Sequence, residues 1–173
     1  MRYNALNDHL RCRFGRKVYK LALQGVSTCP NRDSAVGSRG CIFCSETGSG
    51  EFAACGADIA AQLADARRRV ADKVPEDAAF IAYFQSFTNT YAPVEKLRAL
   101  FSAAIVPQEI VALSVATRPD CLGEDVVALL AQINAIKPVS VELGLQTADD
   151  SVAQYINRGY KTEVYTDAVA RLK

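Results

Sequence analysis

Apolar residues along this chain occur in two alternating arrangements. Short stretches that are almost continuously apolar alternate with longer stretches in which apolar residues recur every three or four positions. Continuous apolar runs are typical of strands buried on both faces, and the three-to-four spacing is typical of helices that bury one face. The predicted strands cover residues 18–25, 79–85, 110–117 and 139–146. The predicted helices cover residues 57–74, 124–135, 149–157 and 162–173, with one more that begins at Pro93.

This alternation predicts an α/β fold with a parallel sheet, either an open wound sheet or part of a (βα) barrel. About four strand-helix units are present and no linker divides them, so we expect a single domain over residues 1–173, in which a basic segment, residues 1–17, leads into the first strand. The last predicted helix runs to Lys173 with no strand after it. Because an uncovered sheet edge promotes aggregation, we expect either a truncated, longer domain or a dimer that covers the edge.

The composition is that of a globular protein, with 173 residues of which 50% are hydrophobic and 23% charged. Such a chain can bury one core. The longest apolar run covers residues 78–84, far below the roughly 18 residues of a membrane-spanning helix, and the first residues contain no apolar signal segment. We therefore expect a cytoplasmic protein. In a reducing cytosol, cysteines are more often free thiols or metal ligands than disulfides.

The net charge of +1 conceals a division along the chain. Residues 1–44 contain eight Lys or Arg against two acids, whereas residues 45–173 contain twelve against seventeen. A basic region of this kind is found on surfaces that bind nucleic acid, because Lys and Arg release counterions from phosphates. It is also found as an ordinary solvated surface. Charge alone leaves both interpretations open.

Three cysteines in the segment CPNRDSAVGSRGCIFC predict an inorganic centre. Cys29, Cys41 and Cys44 can converge on one site, with Pro30 and two glycines suited to a wrapping loop. Three thiolates can hold an iron-sulfur cluster and leave one iron open. For zinc, a fourth ligand is needed, and Cys12, Cys55 or His9 are the nearby donors. Spacing alone leaves iron-sulfur, zinc and no metal open, but a loop that follows the first parallel strand lies at the edge where such folds build active sites.

Several other kinds of active site lack the residues or motifs that they require in this sequence. His9 is the only histidine, which argues against a histidine-based dyad or metal site. No GxxxxGK[ST], GxGxxG or GxSxG sequence is present, so nucleotide hydrolysis, dinucleotide binding and serine hydrolysis have no motif. The remaining cysteines, Cys12, Cys55 and Cys121, have no partner spacing and are interpreted as structural.

Taken together, the cysteine segment, ATRPDCL after the third strand and VELGLQT on the fourth resemble the radical SAM superfamily. Within it, the chain is similar to the elongator-like branch and to an uncharacterised bacterial YhcC-type family. The resemblance covers nearly the whole chain. It implies a partial (βα) barrel in which Cys29, Cys41 and Cys44 hold a four-iron four-sulfur cluster and S-adenosylmethionine chelates the open iron.

The resemblance also implies cofactor contacts, although the sequence departs from the family at several places. Phe43 is expected near the adenine, and QSFTN stands where relatives have a glycine-rich segment that contacts the methionine moiety. Ala116 stands where many relatives have an acid, and Tyr160 where the family usually has histidine. Each polar strand-end residue has the alternative role of capping the next helix. The expected cofactor-side residues are Phe43, Gln85, Ser86, Phe87, Thr88, Asn89, Thr117, Arg118, Glu142 and Gln146.

The function implied is reductive cleavage of S-adenosylmethionine to a 5'-deoxyadenosyl radical that abstracts hydrogen from a substrate. An electron donor is then required as a partner, and no catalytic side chain is assigned, because the cofactor carries the chemistry. The basic segment suggests RNA as a substrate. Two other functions stay open, namely a non-catalytic zinc- or iron-sulfur-binding module that holds nucleic acid, and a truncated fragment that binds a cluster without turnover.

Overall fold

Four parallel strands form one sheet in the order in which they occur along the chain. This computed structural model describes residue 3 and residues 5–48, 50–54 and 56–173, so Cys55 lies outside the described residues. The strands are β1 (Val18–Leu23), β2 (Ala79–Phe84), β3 (Ile110–Thr117) and β4 (Val139–Leu143). The predicted α/β fold is confirmed, and the ordered parallel sheet is consistent with a partial (βα) barrel.

Helices separate the strands at every crossover. The crossover helices are α2 (Ile59–Val70), α3 (Val94–Ile105) and α4 (Glu124–Asn134). The helix α1 (Leu6–Phe14) precedes β1, and α5 (Asp150–Tyr155) and α6 (Thr162–Arg171) follow β4. Two short 3₁₀ helices, Ala71–Lys73 and Pro119–Cys121, extend the connections. All five predicted helices are present, and α1 is additional.

The main core lies between one face of the sheet and the helices α2, α3 and α4. Leu21, Phe84 and Leu113 from the strands are each 0–1% exposed and belong to the same apolar cluster as Leu97 and Phe101 of α3. The rings of Phe84 and Phe101 are tilted by 57° with their centroids 5.3 Å apart, an arrangement that aromatic pairs favour. This packing fixes the direction of the strands, and with it the side of the domain on which their carboxyl ends lie.

The helix α1 covers the opposite face of the sheet near the amino ends of the strands. Leu10 and Phe14 pack against a small buried cluster formed by Val18, Ala79, Ile81 and Ala112. Gly15 ends α1 with φ +70°, and its N–H donates to the carbonyl of Arg11 at 2.8 Å, as a glycine C-cap does. The sequence predicted only a basic segment here, because a helix with no fully buried residue carries a weak apolar pattern.

Several elements end earlier than predicted. The strand predicted over residues 139–146 stops at Leu143, and Gln146 lies beyond it in the left-handed region with φ +60°. The helix predicted over residues 149–157 stops at Tyr155, and Asn157 (φ +54°) and Gly159 (φ +83°) follow in the left-handed region. The predicted left-handed backbone of Gly159 is therefore present, in a turn beyond the helix end.

The edge of the sheet at β4 is open within the described chain, since β4 pairs only with β3. Val139, Val141 and Leu143 on this strand are all partly exposed. Among the described residues, no helix combines the length and the apolarity needed to cross a membrane.

Replacement of Phe101 tests the assignment of the core. We expect Phe101→Ala to lower the free energy of unfolding by about 3–5 kcal/mol, because the change removes a fully buried ring and leaves a cavity. Phe52, which is 84% exposed, provides the matched control, and Phe52→Ala should change stability by less than about 0.5 kcal/mol. Urea unfolding followed by circular dichroism measures both, and equal losses of stability in the two variants would contradict the assignment.

Candidate metal centre

A cavity of about 350 Å³ opens at the carboxyl ends of the strands. The three cysteines of the predicted centre line it, together with seven further predicted residues: Phe43, Phe87, Thr88, Thr117, Arg118, Glu142 and Gln146. Gln85, Ser86 and Asn89 are not among the residues that line it. Parallel strands present their carboxyl ends at one edge of the sheet, which explains why residues far apart in sequence meet here.

The cysteine loop, residues 29–44, is shaped by backbone hydrogen bonds within it. The carbonyl of Cys29 accepts from Arg32 N at 2.8 Å, and the carbonyl of Pro30 accepts from Val36 N at 2.7 Å. Gly40 has φ +71°, and its N–H donates to the carbonyl of Asn31 at 2.7 Å. These turns bring the second half of the loop back to the first, so that Cys41 and Cys44 lie on the same cavity as Cys29.

The loop is also attached to the turn that follows α5. Ile42 N donates to the carbonyl of Ile156 at 3.1 Å. Asn31 Nδ2 donates to the carbonyl of Asn157 at 2.6 Å, and Asn157 Nδ2 donates to the carbonyl of Gly40 at 2.6 Å. Three hydrogen bonds therefore join two loops separated by more than 110 residues in sequence.

The thiols of Cys41 and Cys44 share a hydrogen bond. This bond, and then burial, raise the pKa of Cys41, whereas acceptance of the bond lowers the pKa of Cys44 to about 6 despite partial burial. The guanidinium of Arg32 contributes further to the lowering, and Cys29 is near enough to oppose it. The pair thus holds one thiolate readily, and thiolates are the form that binds metals.

The donor set matches an iron-sulfur cluster in kind, since three free thiols face one cavity that has room for a ligand. No group of three His, Cys, Asp or Glu side chains within the described ranges is arranged to hold a metal ion. The thiols face the cavity without forming a closed set of ligands around one ion. Cys12 is exposed on α1, and Cys121 is partly exposed beside Asp120, and neither lines this cavity.

Arg32 secures the end of the cysteine loop. Its guanidinium donates to the carbonyls of Glu46 at 3.1 Å, Cys44 at 3.4 Å and Ser45. It also lies 5.5 Å from the centre of the Phe87 ring. The sequence pattern did not single out Arg32, because a charged residue in a polar loop is usually solvated.

Arg118 is buried at the end of β3 and is held by the protein itself. Its guanidinium donates to both carboxylate oxygens of Asp120, at 2.9 and 2.7 Å, and to the carbonyl of Arg158 at 2.9 Å. Burial disfavours the charge, but Asp120 outweighs burial and holds the pKa of Arg118 above its ordinary value. Arg118 therefore forms a rigid wall of the cavity.

Arg158 is a buried residue that the sequence did not identify as part of the site. It is 1% exposed, and it donates to the carbonyls of Leu145 at 2.8 Å, Thr147 at 2.6 Å and Tyr160 at 3.0 Å. A guanidinium with several carbonyl partners organises the loop after β4. The only sequence sign was its place two residues before Tyr160, where the family usually has histidine.

The ring of Tyr160 lies near two guanidinium groups, 4.9 Å from that of Arg118 and 4.4 Å from that of Arg158. Its hydroxyl donates to the carbonyl of Gly144 and lies 3.3 Å from Gln146 Oε1. Burial raises the pKa of Tyr160 to about 12. Tyr160 thereby supports the backbone turn that places Gln146 on the cavity.

A row of polar side chains crosses the sheet below the cavity. Glu142 on β4 accepts hydrogen bonds from Lys20 on β1 at 2.5 Å, Ser114 on β3 at 2.8 Å and Tyr83 on β2 at 3.0 Å. Partial burial favours the neutral acid, but the bonds from Lys20 and Ser114 outweigh it and lower the pKa of Glu142. Glu142 is thus an oriented carboxylate at the cavity.

The segment QSFTN supports the cavity more than it lines it. Asn89 is fully buried, accepts from Val26 N at 3.3 Å and donates to the carbonyl of Ala116 at 3.0 Å, so it connects the ends of β1 and β3. A Cβ at Gly50 would lie 1.8 Å from Ser86 Oγ, so Gly50 permits this close approach.

The sequence model of the Radical SAM superfamily matches residues 33–173. The chain is 47% identical over 99% of its length to the Bacillus subtilis protein "Uncharacterized protein YtqA", of which it covers 53%. It is 40% identical over 94% of its length to the Escherichia coli K12 "Protein YhcC", of which it covers 52%. A more distant relative is "Uncharacterized protein MJ0486" of Methanocaldococcus jannaschii, with 29% identity over 88% of this chain and 47% of that protein.

The chain belongs to the radical SAM superfamily, and its relatives are proteins of the YhcC type. The resemblance to the radical SAM superfamily and to YhcC-type proteins, which the sequence indicated, is confirmed. The chain spans about half the length of the curated relatives it matches. Members of this superfamily in general use a four-iron four-sulfur cluster and S-adenosylmethionine.

Titration of Tyr83 tests the polar row. Burial, and then the charge of Glu142, raise the pKa of Tyr83 from its ordinary value of 10.0 to about 12. The unfolded chain therefore releases this proton first, and the fold loses stability as pH rises from 10 towards 12. We expect Glu142→Gln to lower the pKa of Tyr83 but to leave it above the ordinary value, because burial remains.

Absorbance at 295 nm, with Tyr83→Phe to assign the transition, measures this pKa. Glu109→Gln is the control, because Glu109 pairs with Arg67 on the outer surface and should leave the transition of Tyr83 in place. An unchanged pKa in Glu142→Gln would show that the carboxylate does not act on Tyr83.

Proposed function

We propose that this chain is the core of a radical SAM enzyme that cleaves S-adenosylmethionine reductively and uses the resulting 5'-deoxyadenosyl radical to abstract hydrogen from a substrate. The observation that carries the proposal is the position of three thiols, Cys29, Cys41 and Cys44, on one cavity at the carboxyl ends of the strands. Membership of the superfamily supports it. The cluster and S-adenosylmethionine, when bound, supply the radical chemistry.

In this proposal, the three thiolates hold the cluster and the other cavity residues position S-adenosylmethionine. Phe43 and Phe87 offer apolar surface to an adenine ring, and the Thr88, Thr117 and Gln146 side chains offer polar groups to its ribose or methionine parts. A cationic sulfonium favours a nearby carboxylate, and Glu142 is the acid among the described residues that line the cavity.

The arginines of the cavity have a different role. Arg118, Arg158 and Arg32 already donate to carboxylate or carbonyl oxygens of the protein. Their hydrogen bonds fix the loops and thereby the shape of the cavity. Such preorganisation lowers the cost of aligning reactants and limits the access of water.

The proposal also includes a class of substrate. We propose RNA, as in the elongator-like branch, and the support is the basic segment at the start of the chain. In the structure, two of these basic residues already have partners within the protein. Lys20 is paired with Glu142, and Arg32 donates to loop carbonyls. Arg11, Arg13 and Lys17 are exposed on or beside α1, and are the candidates for phosphate contact.

The whole domain is also proposed to be larger than the described sheet. The relatives are about twice as long as this chain, and the β4 edge is unpaired within the described residues. We propose that a further segment or a second subunit covers that edge in the complete enzyme, which also needs an electron donor.

Replacement of a cluster cysteine tests the proposed reaction. After anaerobic reconstitution with iron and sulfide, we expect the chain to form 5'-deoxyadenosine from S-adenosylmethionine and dithionite. We expect Cys41→Ala to reduce this rate by at least about 100-fold, because a ligand of the cluster is removed. Cys12→Ala is the matched control and should retain the rate, since Cys12 is exposed on α1.

Two results would contradict the proposal for this chain. One is a fully assembled cluster that yields no 5'-deoxyadenosine above the level of Cys41→Ala. The other is stoichiometric zinc binding with no iron, which would support a non-catalytic binding module instead.

RNA binding is tested by its dependence on salt. We expect the chain to bind single-stranded RNA with an affinity that falls as salt rises. The double change Arg11→Gln and Arg13→Gln should lower the slope of log affinity against log salt by about 0.7 for each phosphate that these two side chains neutralise. Arg68 and Arg69, which pair with Asp65 on α2, provide the control when both are changed to Gln.

Filter binding over a range of about 50 to 200 mM salt measures the slope. An equal change of slope in the control would show that the arginines of α1 have no special part in binding. No retention of RNA at low salt would remove RNA as the substrate.

A further inference from the structure

The side-chain amide of Asn31 lies between a sulfur of the proposed cluster site and a backbone carbonyl. Asn31 is 1% exposed. Its Nδ2 donates to Cys41 Sγ at 3.4 Å and to the carbonyl of Asn157 at 2.6 Å. Both hydrogens of the amide group therefore have partners, and one of them points at a sulfur.

The orientation of this amide is fixed by its surroundings. The carbonyl of Asn157 can only accept, so the nitrogen of Asn31 and not its oxygen faces it. On the opposite side, a Cβ at Gly37 would lie 2.4 Å from Asn31 Oδ1, and a Cβ at Gly159 would lie 3.2 Å from the same atom. The two glycines leave just enough space for the amide, so Asn31 has little freedom to turn its donor away from the sulfur.

A hydrogen bond to a cluster sulfur acts on the redox equilibrium. Reduction adds negative charge, part of which resides on the sulfur atoms, and an N–H donor stabilises the more negative state. Hydrogen bonds to the sulfurs are among the features that set the potential of an iron-sulfur cluster. Among the described residues of the cysteine loop, Asn31 is the one whose side-chain amide donates to Cys41.

We propose that Asn31 is a positioning residue that makes the cluster easier to reduce, by donating an N–H···S hydrogen bond to Cys41. The inference rests on the proposed function for the presence of the cluster. It concerns a residue to which no motif assigned a role. The amide nitrogen of Asn31 that attaches the loop to Asn157 is also the donor to Cys41, so the structure of the loop affects the redox equilibrium of the cluster.

The test is a redox titration of the reconstituted chain without S-adenosylmethionine, followed by the electron paramagnetic resonance of the reduced cluster. We expect Asn31→Ala to shift the midpoint potential to a more negative value than that of the unmodified chain, at equal iron and sulfide content. Asn157→Gly is the matched control. It removes the amide that donates to Gly40, keeps the carbonyl that receives Asn31, and suits the φ of +54° at this position.

The outcomes distinguish two roles of Asn31, the hydrogen bond to Cys41 and the attachment of the cysteine loop to Asn157. A negative shift in Asn31→Ala with little shift in Asn157→Gly supports the proposal. An unchanged potential in Asn31→Ala would overturn it, and so would an equal shift in both variants, because the effect would then come from attachment of the loop. A chain that assembles no cluster would overturn this inference together with the proposed function, whereas an unchanged potential would overturn this inference alone.

A second measurement needs no variant, in case Asn31→Ala fails to fold. Asparagine in the unmodified chain is labelled with ¹⁵N at the side-chain amide, and the reduced cluster is studied by pulsed electron paramagnetic resonance. We expect a ¹⁵N coupling from a hydrogen-bonded amide, which unlabelled protein lacks. A reduced cluster without this coupling would overturn the proposal.

Discussion

The attachment of the cysteine loop to the turn after α5 is the interaction on which the site depends. The loop follows β1 and the turn comes after β4, and these are the two edge strands of the sheet. The hydrogen bonds between Ile42 and Ile156 and between Asn31 and Asn157 therefore join segments that follow opposite edges of the sheet. Without them, the loop that contains Cys41 would be a long irregular segment with no fixed relation to β4. With them, the three thiols and the residues at the end of β4 line the same cavity. The left-handed turn at Asn157 and Gly159 makes this attachment possible.

The face of the sheet opposite the main helices changes in character from one end to the other. At the amino ends of the strands, α1 covers an apolar cluster that includes Val18 and Ile81. A polar row follows, with one side chain from each strand, centred on Glu142. The cysteine cavity comes last, at the carboxyl ends. The sheet thus separates a buried, purely structural end from an end that can hold a polar cofactor, and the oriented carboxylate of Glu142 lies at the boundary between them.

The strands and the main helices could be predicted from the sequence because the strands are almost continuously apolar and the helices have apolar residues every three or four positions. The convergence of Cys29, Cys41 and Cys44 on one cavity could be predicted because three thiols at such spacing are rare. The helix α1 was missed, since its amphipathic pattern is weak, and the last strand was extended to Gln146, because nothing in the local sequence requires a left-handed residue there. Arg158, Asn31 and Arg32 were also missed. Their roles depend on carbonyls and sulfurs supplied by other segments, and a polar residue in a loop has no pattern that predicts such partners. The charge division suggested one basic surface, but the fold places Lys20 and Arg32 in contacts of their own.

The proposed function requires that Cys29, Cys41 and Cys44 together hold one four-iron cluster with an iron left open for S-adenosylmethionine. Mössbauer spectroscopy of the chain reconstituted with ⁵⁷Fe can decide this, because each iron contributes to the spectrum. We predict a cubane cluster in which added S-adenosylmethionine changes the spectrum of one iron in four. A spectrum without a cubane cluster, or a cubane whose irons all remain unchanged when S-adenosylmethionine is added, would contradict it.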